Sequence, residues 1–80
     1  MSFLGRIVTI EPGASLPYVA SDWADAIVGV RRGRLEPVGA IAWPVFPPGA
    51  QLWLDQMDLR ELRNPGTEPT ELTVVARRRS

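Results

Sequence analysis

The chain has no cysteine and no histidine. Disulfides, a thiolate nucleophile, zinc held by sulfur or imidazole, and an imidazole general base are thereby excluded together. A metal site would have to be built from carboxylates alone, so none is expected, and no cofactor either. Lysine is missing as well: all nine basic residues are arginine, and they balance nine acids to a net charge of zero. Neutrality supplies no basic field for nucleic acid or for an anionic membrane surface, so neither is an expected partner. Long apolar runs are also lacking. The N-terminal MSFLGRIVTI is too short for a signal-peptide core or a membrane span, and a cytoplasmic protein is the expectation.

What is present is ordinary globular material. Apolar residues make up 45% of the 80 positions and charged residues 22%, which predicts one folded domain over 1–80 rather than a disordered chain. A chain of this length buries only about 60% of its unfolded surface, so its core is small and self-association would help it. Eight prolines and seven glycines interrupt every helical period except around Ala50 to Arg63, where the apolar residues hold no clean stripe. Short runs bounded by turn residues predict strands instead, over Phe3 to Ile10, Ala24 to Arg31, Leu35 to Val38, Ile41 to Phe46, Gln51 to Leu54, Leu59 to Arg63 and Leu72 to Arg77. Pro44 places the fourth of these at an edge or bulge. The pattern predicts an all-β domain of about seven or eight short strands closed into a small barrel. The arginine-rich tail over 77–80 reads as a solvated terminus.

A family resemblance rests on GAQLWLDQMDLRELRN, residues Gly49 to Asn64. Gly49 and Asn64 stand at the two ends of a spacing that resembles the second motif of the single-domain cupins, a jelly-roll family whose barrels commonly hold a metal. Between those ends Asp55 replaces the motif's proline, Met57 its glycine and Arg60 its metal-binding histidine. Gly33 matches the glycine that closes the family's first motif. Counting back from it, the glutamate position falls on Ala26, and the two histidine positions fall on Ala20 and Asp22 or on Val19 and Ser21. The resemblance covers about Ser15 to Arg77. It implies a jelly-roll barrel without the usual metal chemistry.

On that frame the substituted positions become candidates. Strand alternation would turn Arg60, Leu62 and Asn64 into the barrel, opposite Ala26, Val28 and Val30. An inward guanidinium must pair with a carboxylate such as Asp22 or Asp25, reach solvent at the rim, or hold an anionic ligand. Trp23, Trp43, Trp53 and Met57 are candidate pocket walls beside Arg60, and equally candidate core or subunit-interface residues. Asp22 and Tyr18 are the candidate acid–base groups, with turn capping as the plainer role for the aspartate. Trp53 sits between Leu52 and Leu54, so both faces of its strand call for cover, one of them as a dimer contact.

Three functions follow. The first is a metal-independent barrel that binds a small, mostly apolar molecule with an anionic end. The second is a metal-free isomerase, cyclase or lyase on the same barrel, an analogy from fold to chemistry. The third is a dimerisation or interaction module whose core is filled around Trp53, Val28 and Leu62. A homodimer is expected in any of them.

Overall fold

The structure, a computed structural model, describes residues 3–77; the tail over 78–80 lies outside the described residues. Among these, seven strands occur: β1 (Phe3–Ile10), β2 (Ser15–Pro17), β3 (Ala26–Arg32), β4 (Glu36–Gly39), β5 (Gln51–Leu52), β6 (Leu59–Arg63) and β7 (Thr70–Arg77). A four-residue helix, α1 (Ala20–Trp23), precedes β3, and a 3-10 turn covers Leu54–Gln56. The strands form a four-stranded antiparallel sheet, order β1-β7-β3-β5, and a three-stranded one, order β2-β6-β4.

All-β organisation therefore holds, whereas the closed barrel does not. Among the described residues no ladder joins the two sheets, and the molecule is an open two-layer sandwich. The second sheet cannot readily extend, because both of its edge strands carry a proline, Pro17 in β2 and Pro37 in β4, which removes a ladder donor from each edge. Ile41–Phe46 is not a strand either. Only the isolated bridges Leu35 to Phe46 and Val38 to Ala42 form there, as Pro44 denies the run a continuous ladder.

Strand alternation builds the core. Ala26, Val28 and Val30 of β3 and Leu72 and Val74 of β7 face inward and are buried, together with Ile10, Leu35, Leu52, Leu54, Leu59 and Leu62. Two bulges reset the alternation. The register of β3 against β7 slips between Val30 and Arg32, leaving Arg31 as the extra residue, and Arg31 and Arg32 both turn outward toward Glu71 at 3.8 and 3.9 Å. In the other sheet Val38 faces Glu61 while Gly39 faces Leu59, leaving Arg60 as the extra residue.

Two glycines are required. Gly33 has φ 75°, and a Cβ there would meet Pro69 O at 2.5 Å and Thr70 Oγ1 at 2.8 Å. A Cβ on Gly39 would run into the Asp58 carbonyl oxygen opposite the Arg60 bulge.

Buried polar groups are few and tied down. Asn64, fully buried, donates from Nδ2 to Ile10 O (2.9 Å) and Glu68 O (2.8 Å) and accepts from the Gly66 N–H on Oδ1 (2.9 Å). Its backbone N–H donates to Ala14 O and its carbonyl accepts from the Gly13 N–H, both at 3.0 Å. One side chain thus fixes the β1–β2 turn against the β6–β7 turn. Thr70, also fully buried, accepts from the Arg34 N–H and donates to the Arg34 carbonyl.

Candidate functional site

Trp43 and Met57 meet through a hydrogen bond just after the 3-10 turn, and α1, which ends in Trp23 and follows Tyr18 by two residues, packs on that turn. Trp23, the last residue of α1, is buried in the core, and the Arg6 guanidinium lies 4.9 Å above its ring. Arg6 also donates to Asp22 O at 2.9 Å, tying α1 to β1. Met57 is buried as well. Its N–H bonds to Leu54 O at 3.1 Å to finish the 3-10 turn. The Met57 carbonyl accepts the Trp43 indole N–H at 3.1 Å. Trp23 and Met57 belong to the hydrophobic core, and half-buried Trp43 and Tyr18 pack against it. Trp23 and Met57 fill the core, whereas Trp43 also lines an open hollow beside Pro37, Gly39 and Ile41.

Tyr18 is the exception to polar satisfaction. Its backbone N–H donates to Arg60 O at 2.8 Å, whereas its hydroxyl oxygen is buried without a hydrogen-bond partner. Burial raises the phenol above its ordinary 10.0, and the negative charge of Asp55 adds to the shift. A phenol so held keeps its proton at neutral pH, where it can donate or accept a hydrogen bond but is not a ready base. Asp22, the other acid–base candidate, is exposed on α1.

Arg60 is a correction. Uninterrupted alternation would turn it inward with Leu62 and Asn64, and those two are indeed fully buried, but Arg60 is the bulged residue and is exposed. The bulge lets Leu59 and Leu62 both face the core and expels the residue between them that would have brought a charge into it. The interior pairing of Arg60 with Asp22 or Asp25 falls with the inward orientation. Asp25 instead forms the turn into β3, at φ 56°.

Trp53 is the second correction. It does not help fill the core, being 48% exposed. It follows β5 in extended conformation, φ −105° and ψ 96°. Because Val28 faces Leu52 and Gly29 faces Gln51, one further step of the antiparallel register sets Trp53 beside Ile27. Both then lie on the outer face of the four-stranded sheet. Val75 faces Ile27 on one side and Gly5 on the other, and Ile7 faces Thr73 one row along. Of the large apolar residues left exposed among the described ones, Ile7, Ile27, Trp53 and Val75 share this face, while Val19, Ile41 and Val45 lie on connecting segments. A shallow hollow lined by Gly5, Ile7, Thr73 and Val75 crosses it. Ile7, Ile27 and Val75 are not among the sequence candidates, although the apolar runs IVTI, AIVGV and LTVV, which carry no charge on either face, hold the signal.

The arrangement defines the class as a small all-β sandwich with a packed interior and one apolar outer sheet face. No protein-family model, no curated protein and no solved structure matches the chain. Among the described residues no three carboxylates gather into a set that could hold a metal ion, and no helix is long and apolar enough to cross a membrane.

Proposed function

We propose that this protein is an interaction module, whose working surface is the outer face of the four-stranded sheet and whose interior holds no ligand. One observation carries the reading: the space between the sheets is taken up by side chains, with Val28, Leu35, Leu54, Leu62 and Leu72 at zero exposure, while bulky apolar groups stand outward on one sheet. Native mass spectrometry of freshly purified protein tests it. The expected spectrum carries no retained small molecule. A stoichiometric organic adduct surviving desalting would return the function to the interior.

A second reading keeps one specific support. The unpartnered Tyr18 hydroxyl is what a small-molecule site would use as a donor. On this reading a mostly apolar molecule with an acceptor atom enters beside Trp43 and Met57. Tyr18→Phe would then weaken its binding, while Arg60→Ala, altering an exposed bulge, would not.

Kinship with the cupin jelly roll is part of the proposal and is supported by position. The motif residues Gly33, Gly49 and Asn64 all hold turns here, the glycines at φ 75° and 96° and the asparagine by its buried hydrogen bonds.

A further inference from the structure

We infer that the outer face of the four-stranded sheet is covered by a second copy of this chain, in a two-fold dimer that sets β7 of each protomer over β3 of its partner. The inference rests on the interaction-module reading and adds the identity and geometry of the occupant.

The face reads as three rows running across the strands. The first is Gly5, Val75, Ile27 and then Trp53; the second is Ile7, Thr73, Gly29 and Gln51; the third includes Thr9, Glu71 and Arg32. A two-fold axis parallel to the strands, above the midline between β7 and β3, keeps each row at its own level and exchanges β1 with β5 and β7 with β3. The consequences follow position by position. In the first row Trp53 of one protomer comes over the partner's Gly5, and Val75 over the partner's Ile27. In the second, Thr73 comes over the partner's Gly29 and Ile7 over the partner's Gln51. In the third, Glu71 comes over the partner's Arg32, with the bulged Arg31 beside it.

Three of these encounters are complementary. The bulkiest group on the face meets Gly5, where a Cβ would find nothing within 4 Å, branched aliphatics meet each other, and Glu71, already beside Arg31 and Arg32 of its own chain, gains a further guanidinium from the partner. The symmetry makes every match twice. Size agrees: a standard interface takes roughly 800 Å² per partner, about a sixth of the 5157 Å² surface, and the broad side of a molecule 39 × 25 × 18 Å in extent can supply it. The zero net charge sets up no long-range repulsion between copies.

Sedimentation equilibrium of the full chain from about 1 µM to about 500 µM, a range that brackets micromolar association, tests the inference. The wild type should populate a dimer. Val75→Arg should raise its dissociation constant at least about 30-fold, the size of a central hot spot. Gly5→Leu is the sharper variant, because it meets only open space within its own chain: it should leave the unfolding temperature of the dilute monomer unchanged and still weaken the dimer. Glu71→Arg should weaken it too, and the exchange Glu71→Arg with Arg31→Glu and Arg32→Glu should restore it. A dimer indifferent to Val75→Arg and Gly5→Leu uses another surface and overturns the inference. A wild type monomeric throughout the range also overturns it, and 8-anilinonaphthalene-1-sulfonate then separates the two claims. Dye bound by the monomer and lost in Val75→Arg keeps an apolar docking face that serves a different protein. Absence of dye binding removes the docking face as well.

Discussion

At the scale of single residues, two side chains carry opposite kinds of polar burial. Asn64 has every polar group engaged, and its three side-chain hydrogen bonds reach Ile10, Gly66 and Glu68 from a fully buried position. Asn64→Ala removes those bonds and strands two carbonyls and one N–H, for an expected loss of about 3 kcal/mol in urea unfolding; a loss below about 1 kcal/mol would mean that the turns hold themselves. Tyr18 is the reverse case, a buried hydroxyl with no partner. Tyr18→Phe deletes that group and keeps the ring, so stability at neutral pH should be unchanged or rise by about 1 kcal/mol. The pH dependence follows from the raised phenol pKa. The unfolded chain loses the proton near the ordinary 10.0 while the folded chain keeps it. The stabilisation is therefore complete below pH 10.0 and is lost as the pH rises toward the folded value. Tyr18→Phe should show a shallower alkaline fall in stability than the wild type. Equal slopes in a pH series of unfolding temperatures would contradict the burial of this hydroxyl.

The elements show how far strand periodicity reaches. Phe3–Ile10 and Leu59–Arg63 appear with the bounds their composition implies, and the inward set Ala26, Val28 and Val30 follows from alternation. Alternation breaks where a bulge inserts a residue, and a bulge leaves no mark in local composition because it arises from a register shift against a partner strand. Arg60 is the case in point: alternation turns it inward, and the mismatch between Val38–Gly39 and Leu59–Glu61 turns it out. Of the candidate wall residues Trp23, Trp43, Trp53, Met57 and Arg60, the structure joins Trp43 to Met57 by a hydrogen bond and leaves Trp53 and Arg60 exposed. The character of the site is not legible in the sequence, because whether rings line a cavity or fill it depends on how closely two sheets approach. The short helix at Ala20–Trp23 leaves no mark in the sequence for a related reason, as four residues cannot show a helical period. Opposite the Arg60 bulge, Gly39 marks where β4 passes against the Asp58 carbonyl. Gly39→Ala must push that backbone apart and should destabilise by about 2 kcal/mol, read as a lower denaturant midpoint. An unchanged midpoint would mean that the bulge yields freely.

Across the whole molecule, the governing fact is size. A chain of 80 residues buries too little surface for a wide margin, and a net stability near the low end of the usual range, about 5 kcal/mol, is expected. Truncating a fully buried leucine, as in Leu62→Ala, should cost about 3 kcal/mol, a large part of that margin. A partner that binds only the folded chain adds stability by mass action. If the outer sheet face meets a second copy, folding and association are linked, and the unfolding temperature must depend on protein concentration. Raising the concentration about 100-fold should shift it upward by several degrees, because about 1 kcal/mol corresponds to roughly 4–8 °C in a domain of this size. Val75→Arg, which keeps the core and places a charge on the face, should unfold at one temperature whatever its concentration. Calorimetric scans of the two proteins at matched concentrations check this directly. A concentration-independent wild type would show that the sandwich, small as it is, draws its stability from its own core alone.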